Sequence, residues 1–250
     1  MAPIHDAARD ANVAELDRLL AEGASPDALR TVRHPQETPL HVLFGDQHDG
    51  ARDGSMDARV ACFELLRDAG ANLEARLGGM SLGITVLHLA AKGYPRVVSL
   101  LVEEGVNVNA ANGSGYTPLH WAARGDFRSS TDCLEVLLKA GAAVNALGGP
   151  GLVGGPGTFE TPFDVAIQGG HRRMWPLLLR AGAEIPHGPS IAGAGVYHPY
   201  ITRVRNAGGY RKYAQNHLAA MTKLFVANGR RLPPEVVRQI MKFWLHLGYY

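Results

Sequence analysis

Thr117-Pro118-Leu119-His120-Trp121-Ala122-Ala123-Arg124, followed by Leu134-Glu135-Val136-Leu137-Leu138-Lys139-Ala140-Gly141-Ala142, is the stretch on which the fold turns. Threonine suits a helix N-cap because its hydroxyl can accept a backbone N–H of the first turn. Proline behind it suits the first helical position, where no donor is needed. Leu119, Ala122 and Ala123 give that helix an apolar face whose small residues let a neighbour come close. Leu134, Leu137 and Leu138 carry the spacing of a second amphipathic helix. Gly141 then stops it, since glycine enters the left-handed conformation with little steric penalty. The stretch reads as a helical hairpin.

The same two marks recur in the same order. The tetrad returns as Thr38-Pro39-Leu40-His41, with near-copies at Thr85-Val86-Leu87-His88 and Thr161-Pro162-Phe163-Asp164. Leucine pairs followed by Gly-Ala or Gly-Val stand at Leu65-Leu66, Leu100-Leu101 and Leu178-Leu179, and a shortened copy opens the chain with Pro3-Ile4-His5 and Leu19-Leu20. A period of roughly 33 residues on this tetrad resembles the ankyrin repeat, two helices and a β-turn per unit. The resemblance implies an all-α ankyrin-repeat solenoid over residues 1–186, in five units at about 1–30, 37–76, 84–111, 116–147 and 160–186. A single hairpin cannot bury both faces, so such units stack on one another.

The array is uneven, with 47, 32 and 44 residues between successive tetrad threonines. The extra residues are expected in loops, at 45–57 between the helices of the second unit and at 148–157 before the fifth. Each is either a solvated connection or a partner contact. The fifth unit departs further, with Asp164 at the histidine position and Pro176 within its second helix. An interior proline removes a backbone donor, so a kink or a late helix start is expected there.

Composition narrows the function. At 250 residues and 46% hydrophobic the chain can bury a sizeable core, and 25 Lys plus Arg against 23 Asp plus Glu leave a net charge of +2. That sum offers no argument for a nucleic-acid or membrane partner. No basic apolar leader and no bilayer-length apolar stretch are seen, so a cytoplasmic or nuclear monomer is expected. Cys62 and Cys133 read as small buried thiols. Without a C-x-x-C companion they do not suggest zinc.

Nothing in the pattern argues for an enzyme. His5, His41, His88 and His120 take equivalent positions, and stacking spaces them roughly 10 Å apart. Shared metal coordination needs each nitrogen about 2 Å from the ion, so no metal and no cofactor is expected. The ankyrin resemblance implies instead that this histidine bonds around the threonine and the neighbouring turn. Gly113-Ser114-Gly115 and the glycine-rich run at 148–157 lack the spacing of a phosphate-binding loop.

A protein-binding surface is the better reading. In proteins that resemble this one, turn tips and the exposed starts of inner helices contact the partner. Carried over by position, those sites are Lys92 and Tyr94 in the third unit, Asn112, Ser114, Tyr116, Trp121, Arg124 and Asp126 in the fourth, and Gln168 in the fifth. Trp, Tyr and Arg are common at binding hot spots. Trp121 has a second reading as packing against the next inner helix. Met80 and Leu82 form an apolar turn tip or tuck beneath it.

Beyond residue 186 the repeat grammar stops. Residues 187–209 read as a connecting segment whose aromatics suggest packing, and 210–250 as a helical extension with apolar Tyr213, Leu218, Met221, Leu224 and Phe225 at helical spacing. Leu232-Pro233-x-Glu235, followed by Val236, Ile240 and Trp244, is similar to the first helix of an F-box. That likeness implies docking to the adaptor of a cullin-type ubiquitin ligase. The alternative is that the extension caps the end of the solenoid.

Overall fold

Helical hairpins form where the tetrads and leucine pairs put them. The computed structural model describes residues 3–30, 37–45, 53–78, 83–125, 128–149, 159–185 and 198–227, together with 233, 235, 236 and 239. It divides into two compact units, Met1–Ala143 and Val144–Tyr250.

In the first unit each tetrad opens an inner helix, and each leucine pair belongs to an outer one. The inner helices are α1 (Pro3–Arg9), α3 (Pro39–Gly45), α5 (Val86–Ala90) and α7 (Pro118–Arg124); the outer ones are α2 (Val13–Ala21), α4 (Asp53–Asp68), α6 (Pro95–Glu103) and α8 (Arg128–Lys139). Contacts run α1 to α3 to α5 to α7, and α2 to α4 to α6 to α8, while each inner helix also touches its own outer partner. Two columns of helices therefore stack side by side. The leucines at the seam, Leu40, Leu66, Leu87, Leu101, Leu119, Leu134 and Leu137, are all fully buried. Each such side chain contributes about 1.5–3 kcal/mol on burial. Between repeats the chain turns through short antiparallel pairings, β1 (Arg76–Leu77) with β2 (Ile84–Thr85) in register Arg76 to Thr85, and a single bridge from Arg30 to Glu37.

The outer helices end as expected. At Gly141 φ is +85°, its N–H donates to Leu138 O at 3.2 Å, and the Ala142 N–H donates to Leu137 O at 3.0 Å. This double bond satisfies carbonyls that the helix end leaves without an internal partner.

Two local expectations need correction. Residues 53–57 of the 45–57 insertion are not loop but the first turns of α4. The caps of α5 and α7 also hold more than a lone threonine hydroxyl, since the box adds a histidine that accepts from the N-cap backbone. At α7 the Thr117 N–H and hydroxyl both donate to His120 Nδ1, at 3.0 and 2.9 Å. The imidazole, three residues on, is the acceptor that closes the box.

The second unit contains the fifth hairpin, α9 (Pro162–Gln168) and α10 (Trp175–Arg180), then α11 (Pro199–Asn206) and α12 (Tyr210–Ala227). A bridge from Gly148 to Glu160 leads into α9. Helix α10 starts late, with Met174 as N-cap, so Pro176 falls in the first turn where it is tolerated. The segment read as a connection contains α11, whose Tyr200, Ile201 and Val204 are buried. Helix α12 lies against α10 and α11, with Tyr213 buried and its ring edge-on to Tyr200 at 5.7 Å. Among the described residues no helix is long and apolar enough to cross a membrane.

Candidate protein-binding surface

The surface rests on a row of imidazoles that hold the repeats in place. His41 Nδ1 accepts from the Thr38 hydroxyl at 2.8 Å, and its Nε2 donates to Ile84 O of the next repeat at 3.2 Å. His88 does the same, to Thr85 at 2.8 Å and to Tyr116 O at 2.9 Å. His5 donates to Glu37 O at 3.1 Å. Its Nδ1 is buried without a partner, because Ala2 occupies the position that holds threonine elsewhere. The His41 and His88 rings each act as a neutral donor-acceptor. Burial pushes the His88 imidazole down to about 4, with Arg76 and His120 adding to the effect, and lowers His41 in the same direction.

In the fifth unit Asp164 takes over the cap. Its Oδ2 accepts from the Thr161 N–H and hydroxyl, both at 2.8 Å, while Oδ1 stays buried and unpaired. A carboxylate has no N–H with which to reach onward to another turn. Burial raises its pKa, partly opposed by the bonds from Thr161.

On the exposed side of this row, the third and fourth repeats bring three of the expected residues together. Lys92 Nζ lies 4.6 Å from the centre of the Trp121 ring, a cation–π distance. The half-buried indole stands edge-on to His88 at 5.7 Å. It therefore packs on the neighbouring inner helix, lies under Lys92 and stays partly exposed. Arg124, one turn further along α7, is exposed. Burial and the Arg124 charge together lower the Lys92 ammonium from its ordinary value. Among the described residues no carboxylate pairs with either cation. Tyr116 is half-buried with its ring edge-on to His120 at 5.2 Å, and Ser114 is exposed at the turn tip.

Other expected residues serve the fold. Tyr94 is only 6% exposed; its ring meets Phe44 edge-on at 4.9 Å, and it caps α6. It is core, not surface. Asn112 Oδ1 accepts from the Ser114 and Tyr116 N–H groups, both at 3.0 Å, so its carbonyl is spent on shaping the turn. Gln168, in the second unit, donates to Glu160 Oε1 at 2.9 Å. Asp126, Met80, Leu82, Leu232, Ile240 and Trp244, with Met221, Leu224 and Phe225 as side chains, lie outside the described residues, as do 46–52 and 150–157 of the two insertions. Pro233, Glu235 and Val236 are exposed.

The thiols do not suggest chemistry. Burial raises Cys133 to about 12 and Cys62 to about 11, and a protonated thiol is a poor nucleophile. Among the described residues no three of His, Cys, Asp or Glu are grouped to hold a metal.

One set of contacts was missed from the sequence. Asp27, Glu74, Asn109 and Asn145 each stand four residues past an outer-helix glycine, and each accepts the backbone N–H two residues past the next one. The rungs are Asn72 N–H to Asp27 at 2.9 Å, Asn107 to Glu74 at 2.5 Å, Ala143 to Asn109 at 2.7 Å and Glu184 to Asn145 at 3.0 Å. The signal was legible as a polar acceptor at a constant offset.

Comparison with known proteins agrees with this geometry. Residues 54–147 match the family model for ankyrin repeats (3 copies). Over 117 residues the chain is 34% identical to a Fowlpox virus (strain NVSL) protein named for ankyrin repeats, FPV031, covering 46% of this chain and 32% of that one. It is 32% identical over 134 residues to the RelA-associated inhibitor of Mus musculus, covering 53% and 14% respectively. It is 29% identical over 117 residues to the ankyrin repeat and KH domain-containing protein mask-1 of Caenorhabditis elegans, covering 47% and 4%. The chain thus spans no more than about a third of the length of these relatives. Stacked hairpins, imidazole-tied caps and the family match over residues 54–147 together show an all-α fold with ankyrin repeats.

Proposed function

We propose that the chain is a non-catalytic binding module that recognises another protein through the exposed face of its third and fourth repeats. The observation that carries this is the Lys92–Trp121–Arg124 cluster. It joins a half-exposed indole, a cation resting on it and a free guanidinium, with no carboxylate among the described residues to neutralise them. Aromatic burial supplies area with few rotatable bonds, and Arg supplies directional donors. The partner segment that fits presents an apolar side chain to Trp121 and a carboxylate to Lys92 and Arg124, with Ser114 and Tyr116 at the rim. Partners are to be identified by affinity purification with mass spectrometry, and their binding compared in Trp121→Ala and Arg124→Glu. Trp121→Ala is expected to weaken the partner by more than about 1 kcal/mol with the helical signal intact. Unchanged affinity in both variants refutes the assignment.

A second reading has support from the exposure of Val236, an apolar residue left 37% accessible next to exposed Pro233 and Glu235. In that reading the array holds a substrate while residues 232–247 recruit the adaptor of a cullin-type ubiquitin ligase. Comparing captures by the full chain and by one ending at Gly209 separates the two. Selective loss of ligase components supports recruitment; collapse of the shortened chain supports a capping role, in keeping with the packing of α12 on α10.

A further inference from the structure

The net charge of +2 is the sum of two opposite halves. Residues 1–143 carry 13 Lys and Arg against 19 Asp and Glu, whereas residues 144–250 carry 12 against four, namely Glu160, Asp164, Glu184 and Glu235. Such asymmetry points to a polyanionic partner for the basic half. We propose that the second unit binds nucleic acid, holding the sugar-phosphate backbone on the basic surface formed by the turn before α10 together with α11 and α12.

The cations face solvent, Arg203 while also donating its Nε to Pro199 O at 3.3 Å. Arg172, Arg173, Arg203, Arg211, Lys212 and Lys223 are all exposed. None of these six takes part in the ion pairs of the first unit, such as Arg18 with Glu15 and Arg30 with Glu37. Of the four acids, Asp164 is buried and bonded to Thr161, and Glu160 is buried and accepts from Gln168. The positive groups also converge. Arg172 and Arg203 both act on the imidazole of His198, and Arg203 acts on His217 as well, each adding to burial in lowering the histidine. The turn before α10, the start of α11 and the middle of α12 therefore share one field. His198 is held there edge-on to Trp175 at 5.1 Å.

The distribution favours a polynucleotide over a single acidic side chain. Helix α12 has 18 residues, about 27 Å at 1.5 Å per residue, with cations toward both ends. A duplex presents one charge per about 1.7 Å, so Arg211 and Lys212 at one end and Lys223 near the other reach different phosphates. Nine of the unit's twelve cations are arginine, whose planar fork matches phosphate oxygens in pairs. Contacts of this kind position a backbone without reading bases, so binding is expected to be independent of sequence.

The test is fluorescence anisotropy of the full chain with a labelled duplex and a labelled single strand of about 30 nucleotides, across about 50–200 mM KCl. Micromolar binding is expected at the low-salt end, weakening about 100-fold over the range if four or so phosphates are engaged. Joint substitution Arg172→Glu, Arg203→Glu and Arg211→Glu should weaken binding at least about tenfold at low salt, while Arg124→Glu in the first unit leaves it unchanged. The same three positions as Gln give an intermediate loss, and they decide the matter should the Glu variant lose its helical signal. No binding at the low-salt end overturns the proposal, as does binding indifferent to salt or to the substitutions. Tighter binding to polyglutamate or to phosphatidylserine vesicles also overturns it, assigning the surface to an acidic protein or a membrane. Because the test rests on the second unit, it stands or falls separately from the Trp121 surface.

Discussion

His88 shows how one residue can carry both a local cap and a link between repeats. Its ring accepts from Thr85 at one nitrogen and donates to Tyr116 O at the other, an arrangement only the neutral imidazole can make. With the folded value near 4 against an ordinary 6.5, the unfolded chain takes up a proton that the folded chain refuses. Stability is therefore greatest above about pH 6.5 and falls as pH drops toward 4, by about 2–3 kcal/mol from this residue. His41 pulls the same way. Urea midpoints measured at neutral and mildly acidic pH should show the fall, and His88→Gln should flatten it; an unchanged slope in the variant would remove His88 from the account. The histidine position and its threonine were legible from the tetrad alone. That the ring also accepts the Thr85 N–H, at 3.2 Å, was not, because this bond depends on the ring's orientation, which is held by the carbonyl of Tyr116 in the next repeat.

At the level of elements, close packing of one hairpin on another sets what each turn can hold. Gly125 follows α7, and a Cβ there would lie 2.2 Å from Ser130 Oγ, 2.7 Å from Ser130 Cβ and 3.2 Å from Lys92 O. Ser130 in turn donates to Lys92 O and ties α8 to the end of α5. Gly125→Ala is accordingly expected to destabilise by about 1–3 kcal/mol through overpacking, seen as a lowered thermal midpoint; a midpoint equal to the parent chain would show that Ser130 yields without cost. The rungs between outer turns give a milder case. Asn109→Ala removes the acceptor for the Ala143 N–H and should cost about 0.5–1.5 kcal/mol, measurable by urea denaturation, whereas loss of stability beyond that range would mean Asn109 does more than hold one N–H. The repeat period indicated where most of these helices lie but not that α4 begins at Asp53, and of the kink or late start that Pro176 implied, α10 shows the late start. The period did not reveal α11, because a short helix flanked by glycine and proline carries too few turns for its period to stand out.

Across the whole molecule, the two halves differ in charge sign and carry separate proposed roles. Trp121→Ala should weaken capture of the protein partner while leaving the affinity for a duplex within about twofold, and the Arg172, Arg203 and Arg211 reversals should do the converse, as expected of independent sites. Parallel capture and anisotropy measurements check this, and loss of both activities in either variant would show that the sites are coupled. What the amino-acid order determined unaided is the repeat: caps, leucine seams and glycine stops act over a few residues, so their physics is written locally. It also held the charge asymmetry, hidden until the unit boundary said where to divide the sum. Tertiary structure alone decided which side chains face outward. Tyr94 and Trp121 are similar in kind and in expected place, yet Tyr94 is drawn inward against Phe44 from the preceding repeat while Trp121 stays partly exposed beneath Lys92. The reason is that exposure on a stacked helix is set by neighbours thirty or more residues away, and no local pattern records their approach.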